Sequence, residues 1–168
     1  MKNLKFTLGV WPIITLMTVT LCFLTQWLAE ACGMALHPQT NLDVVLKHVG
    51  WNGTFCWLVF MVVVVAPALE ELIFRLFLFK LPGWGFPSLG KGAGLVVTAA
   101  VSSALFSAAH YYENAWPDNA FLALFFFGLA QCWLYRRTSA LWCAILNHAL
   151  FNIVNLTLLV CFPEMAKG

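Results

Sequence analysis

At 168 residues, 62% hydrophobic and only 10% charged, with a mean hydropathy of +0.85, the chain is too apolar to cover a water-facing surface; soluble domains carry roughly 25% charged residues. This excludes an ordinary soluble domain and points to an integral membrane protein. The net charge of +2 comes without a basic stripe, so nucleic acid is excluded as a partner and the lipid bilayer is implied.

At ~20 residues per span, the length accommodates an all-α, polytopic bundle of about five transmembrane helices in a single domain. The first apolar run, Phe6 to Leu28, follows Lys2 and Lys5 and precedes Ala29-Glu30-Ala31, which gives it the outline of a signal peptide. It exceeds the ~7–15 residues of a signal h-region, so it predicts a transmembrane helix over 6–28. Glu30 argues against a lipoprotein reading of Cys32. The connection 30–53 is comparatively polar, with His37, Asp43, Lys47 and His48, and has room for a short interfacial helix. A second span is predicted over 55–80. LPGWGFPSLGKG (81–92) is a Pro/Gly turn with aromatics suited to the headgroup zone. A third span follows over 93–112, then the turn ENAWPDN (113–119) and a fourth span over 120–136. RRTS (136–139) is a tight turn that makes the fourth span a hairpin with a fifth over 140–162. The layout is an N-terminal helix with an extracytoplasmic connection, 1–54, and a four-helix core, 55–162.

Counting basic residues orients the bundle with the N-terminus in the cytoplasm and the C-terminus outside. Lys2, Lys5, Lys80, Lys91, Arg136 and Arg137 then lie inside, and Lys47 and Lys167 outside. The cysteines Cys22, Cys32, Cys56, Cys132, Cys143 and Cys161 form no C-x-x-C pair and are expected to behave as small buried hydrophobes.

The second span contains PALEELIFRLFLF, which places Glu70, Glu71 and Arg75 in an otherwise apolar helix. Insertion of three such groups costs on the order of 8–10 kcal/mol before pairing. Glu71 and Arg75 are spaced i, i+4 and share a face, so they can pair. Glu70 is rotated by about 100° from Glu71. One carboxylate can therefore be neutralised while the other stays available for general-base work. Pro67 removes a helical hydrogen bond and should disturb the carbonyl of Val63. In the third span Ser103, Ser107 and His110 line one face, and in the fifth His148, Asn152 and Asn155 do the same, with Asn147 at their border. Alone, the third-span histidine is more often structural than catalytic, and the fifth-span stripe reads equally well as helix glue. Together they cannot face lipid and should converge. A carboxylate base, histidines and amide donors suit peptide-bond hydrolysis, in which oxyanion stabilisation is usually the largest single contribution.

These motifs carry a family resemblance. Glu70-Glu71-x-x-x-Arg75, Phe106-x-x-x-His110 and His148-x-x-x-Asn152, in that order and each on a predicted span, resemble the three motifs of the CPBP (Abi) intramembrane glutamic protease family, which includes CAAX prenyl endopeptidases and bacteriocin-processing or self-immunity proteins. The resemblance covers about residues 55–160. It implies a bacterial inner-membrane endopeptidase that cleaves a membrane-associated protein or peptide, such as a lipidated CAAX-like C-terminus, a leader peptide or a sorting tail. By the same resemblance Glu70 is the general base, assisted by His110, His148 and Asn152 form the oxyanion hole, and Glu71 and Arg75 organise the base. It implies no obligatory cofactor; a His₂Glu zinc site from Glu70, His110 and His148 is the alternative, disfavoured because the chain has no H-E-x-x-H. The chain is close to the bare catalytic core, which weakens transfer of the prenylated substrate. On the predicted spans His110 lies roughly 10 Å further out than Glu70 and His148, so helices two and three must be offset or tilted, or the 81–90 segment must dip into the membrane. The alternatives are a non-catalytic immunity or scaffold protein and a b-type haem carrier with His110 and His148 as axial ligands.

Overall fold

The computed structural model describes residues 1–34, 47–50, 52–80, 90–110 and 120–162. Five helices account for the five predicted spans: α1 (Lys2–Ala31), α2 (Gly53–Lys80), α3 (Gly90–Ala109), α4 (Phe121–Thr138) and α5 (Leu141–Cys161). No strand occurs among the described residues. His37, Asp43 and most of the turns predicted at 81–92 and 113–119 lie outside the described residues.

α1, α2, α3 and α5 are long and apolar enough to cross a membrane. Their outer faces expose Ile13, Leu16, Trp27, Trp57 and Val96, an apolar surface that fits lipid and not water. α4 differs. It has 18 residues, includes Gln131 and ends on Arg136 and Arg137. It is the inner helix, packed against α1, α3 and α5. Its basic last turn complements the negative end of the helix dipole. Ser139 closes it in the left-handed conformation (φ 53°), where its N–H donates to the Tyr135 carbonyl at 2.8 Å. The chain then turns directly into α5, as the RRTS turn predicts.

Ile14, Phe74, Phe106, Leu124, Phe127 and Phe151, drawn from all five helices, form the main core cluster. α3 and α4 approach closely at Gly128. A Cβ there would lie 2.9 Å from the Ser103 Cβ and 3.0 Å from its Cα. Small residues permit such backbone approach in membrane bundles. Gly128→Ala is therefore expected to cost about 1–3 kcal/mol, read as a lower thermal midpoint in detergent.

All six cysteines are free, but only Cys132 and Cys143 are buried. Cys32, Cys56 and Cys161 are exposed, which corrects the expectation of uniformly buried thiols. Cys56 and Cys161 sit on outer helix faces, where lipid, not protein, can take an apolar side chain.

Candidate active site

The site is organised by an irregularity in α2. Two stretches of this helix, Met61–Val65 and Leu72–Lys80, have π-helical pitch, and the α-helical segment Ala66–Glu71 lies between them. The Ala66 N–H reaches back five residues to the Met61 carbonyl. In that register the next N–H would meet the Val62 carbonyl, but position 67 is proline and has none. The orphaned acceptor is thus Val62, not the Val63 expected for a regular α-helix. Asn152 of α5 supplies the missing donor, its Nδ2 lying 2.8 Å from the Val62 oxygen. Irregular π turns of this kind recur at functional sites.

This pairing has a testable consequence. Asn152→Leu should cost about 1–3 kcal/mol by leaving a part-buried carbonyl unpaired. In a Pro67→Ala background the restored N–H can take that carbonyl, and the same substitution should cost less than half as much. Equal losses in the two backgrounds, measured by thermal unfolding, would show that Asn152 and Pro67 act independently.

The α-helical segment carries Glu70 and Glu71 in different directions. Glu71 is fully buried. Its Oε2 forms an ion pair with the Arg75 Nε at 3.0 Å. Its Oε1 accepts from the His148 Nδ1 at 2.9 Å and from the Gln131 Nε2 at 3.3 Å. Arg75 is equally buried, and its guanidinium lies over the Phe106 ring at 4.8 Å. Glu70 retains 27% exposure. Its Oε2 faces two imidazoles, with His148 Nε2 at 3.6 Å and His110 Nε2 at 3.9 Å.

The tautomers follow from the partners. The His110 Nδ1 lies 2.9 Å from the Phe106 carbonyl, which only accepts, so the Nδ1 carries the proton. The His148 Nδ1 donates to Glu71 by the same logic. Both rings therefore turn Nε2 toward Glu70. The separations of 3.6 and 3.9 Å are too long for direct hydrogen bonds. The Glu70 Oε2 is itself buried and has no hydrogen-bond partner among the described residues.

Phe106 has a packing role in this arrangement. Fully buried, it contacts the rings of His110 (centroids 4.7 Å apart), His148 (5.8 Å) and Phe127 (6.1 Å) as well as Arg75. Phe127 closes the other side of His148 with an edge contact at 5.1 Å. The aromatic of Phe106-x-x-x-His110 thus walls the site and separates Arg75 from the imidazoles.

The expected depth mismatch of His110 is resolved by helix offset and side-chain direction. The Ser102 Oγ donates to the Phe74 carbonyl at 2.6 Å and fixes the level at which α3 meets α2. From there Glu70 lies one turn along, about 6 Å, and His110 two turns along, about 12 Å. The helices run antiparallel, and side chains lean toward their own N-termini. Glu70 and His110 therefore lean toward one another, and the remaining ~6 Å falls within their combined reach.

Glu70, Glu71, Arg75, His110 and His148 come together. Asn152 lies one turn from His148, on the Val62 carbonyl. The serine stripe does not enter the cluster: Ser107 Oγ donates to the Phe121 carbonyl at 2.6 Å, and Ser103 packs at Gly128. Asn155 donates to its own helix at Phe151. Gln131 is the member that sequence reasoning missed. A lone amide within FFFGLAQCWLY forms no periodic stripe, and its only signal was polarity inside an apolar run. Among the described residues no trio of His, Cys, Asp and Glu side chains is arranged to hold a metal ion.

A family model described as type II CAAX prenyl endopeptidase Rce1-like matches residues 51–154. The match takes in α2, α3, α4 and most of α5, and with them all three motifs. No curated protein and no solved structure matches the chain.

Proposed function

Because the chain belongs to the Rce1-like type II CAAX prenyl endopeptidase family, an integral membrane family of peptide hydrolases, we propose that it is an intramembrane endopeptidase in which Glu70 activates water. The observation that carries the proposal is the division between the two carboxylates. Glu71 is buried and its oxygens are engaged by Arg75, His148 and Gln131. Glu70 is part-exposed and faces two Nε2 atoms.

In this mechanism Glu70 takes a proton from a water also held by the His110 Nε2. The hydroxide attacks the peptide carbonyl. His148, which this mechanism requires to carry a second proton at Nε2, and the Asn152 N–H not engaged by the Val62 carbonyl stabilise the oxyanion. The proton on Glu70 then passes to the leaving amine. Glu71 and Arg75 hold His148 in place. No step of this mechanism uses a metal. For a haem, an iron would have to enter between two Nε2 atoms that both face the Glu70 carboxylate.

The proposed substrate is a membrane-associated protein or peptide with a lipidated, CAAX-like C-terminus, a leader or a sorting tail. The proposed location is a bacterial plasma membrane with the N-terminus in the cytoplasm. The test uses purified protein in detergent with a panel of fluorogenic peptides, farnesylated and unmodified. Wild type should cleave at least one member of the panel, and Glu70→Gln, His110→Ala and His148→Ala should not. Cleavage should persist in excess chelator. If all three folded variants cleave as wild type does, the glutamate mechanism is wrong; if chelator alone stops cleavage, the site takes a metal.

A further inference from the structure

We infer that Gln131, braced by Asn147, is a positioning residue that fixes the Glu71 carboxylate and through it aims His148 at the reacting atoms. The inference rests on the glutamate mechanism proposed above and extends it to residues outside its three motifs.

Gln131 is fully buried on α4, and both its N–H donors and its oxygen are engaged. One Nε2 proton meets Glu71 Oε1 at 3.3 Å, and the other meets the Ala144 carbonyl at 3.1 Å. The side-chain oxygen accepts from Asn147 Nδ2 at 3.0 Å. The amide has only one workable orientation, since a flip would set its oxygen against a carboxylate and a carbonyl. The two anchored groups both bear on His148. Glu71 Oε1 is the oxygen that receives the His148 Nδ1 proton. Ala144 lies one helical turn before His148 on α5. One amide thus secures the ring through its carboxylate partner and the backbone turn beneath it.

The division of labour on Glu71 is equally specific. Arg75 approaches Oε2 and so neutralises charge. Gln131 brings little charge but gives Oε1 a second, directional donor. Asn147, itself fully buried, closes the relay on α5 next to His148. If interhelical glue were its whole function, a loss of about 0.6 kcal/mol of stability would be its only consequence. A positioning element should instead affect the chemical step, because small misplacement can cost ~10²-fold in rate.

The test compares wild type with Gln131→Met, which keeps length and apolar volume, and Asn147→Leu, which spares Gln131 but removes its brace. Both are made in the full chain in detergent. Gln131→Met should lower kcat by about 10–100-fold with KM within about threefold of wild type, and Asn147→Leu should lower kcat by less. The second readout needs no substrate. In ¹⁵N-histidine spectra, with His148 assigned by loss of its signals in His148→Gln, the His148 ring resonances should shift in Gln131→Met and those of His110 should not. Folded variants with wild-type kcat and unmoved His148 resonances would overturn the inference. Cleavage by Glu70→Gln at the wild-type rate would overturn the glutamate mechanism instead, and the resonances would still report whether Gln131 positions His148.

Discussion

Glu70→Gln is expected to abolish proteolysis while leaving the fold intact. A positioned general base contributes about 10²–10⁴-fold, and the amide has no basic oxygen with which to take the proton from water. KM should change little, because Glu70 acts on the water and not on the peptide. Stability should change little as well. The side chain is part-exposed, and its buried Oε2 has no hydrogen bond to lose, the two histidine neighbours standing at 3.6 and 3.9 Å. Steady-state kinetics on one cleaved peptide, with a melting curve on the same preparation, separates these effects. A kcat within threefold of wild type would remove Glu70 from the base role. A fall in melting temperature comparable to that of the Glu71 variant below would mean that both carboxylates are structural.

The five helices were legible because each is a run of apolar residues near the length a bilayer requires, bounded by Pro/Gly or basic turns. The company of Glu70, Glu71, Arg75, His110 and His148 was legible for a related reason. In an apolar protein polar faces have nowhere to go except toward one another. Helix register was not legible. The level at which α3 meets α2 is marked by the Ser102 hydrogen bond to the Phe74 carbonyl and the Phe74–Phe106 ring contact, and no periodicity encodes it. The partner of Asn152 was hidden similarly. Its acceptor is orphaned only because α2 takes π-helical pitch before Pro67, and a rule for regular helices selects Val63 instead. Gln131 escaped notice because periodic stripes were the signal, and an isolated amide forms none. Its importance lies in three partners on two other helices, contacts that only a packed bundle reveals.

Glu71→Gln should be far more damaging to the fold than Glu70→Gln, although the two positions are adjacent. Glu71 and Arg75 are both fully buried. The Arg75 Nη1 and Nη2 atoms have no hydrogen-bond partner among the described residues, and beyond Glu71 the guanidinium has the Phe106 ring. Removing the carboxylate charge leaves a cation nearly uncompensated in the bundle interior. Breaking a buried pair this way costs about 3–5 kcal/mol, against a total stability of roughly 5–15 kcal/mol. The melting temperature should fall by roughly 6–20 °C. Arg75→Met alone should be less severe, because Glu71 keeps its contacts with His148 and Gln131. Combining Glu71→Gln with Arg75→Met removes both charges and should recover most of the stability, since buried pairs can often be replaced by neutral groups at little cost. Activity should not return with it. The neutral amide at position 71 holds the His148 Nδ1 proton more weakly than a carboxylate does, so the ring loses its aim while the bundle regains its fold. A double variant that melts near wild type and still fails to cleave would separate the two functions of Glu71, charge balance for Arg75 and orientation for His148. One that melts as low as Glu71→Gln alone would show that the lost stability came from the His148 and Gln131 contacts and not from the stranded cation.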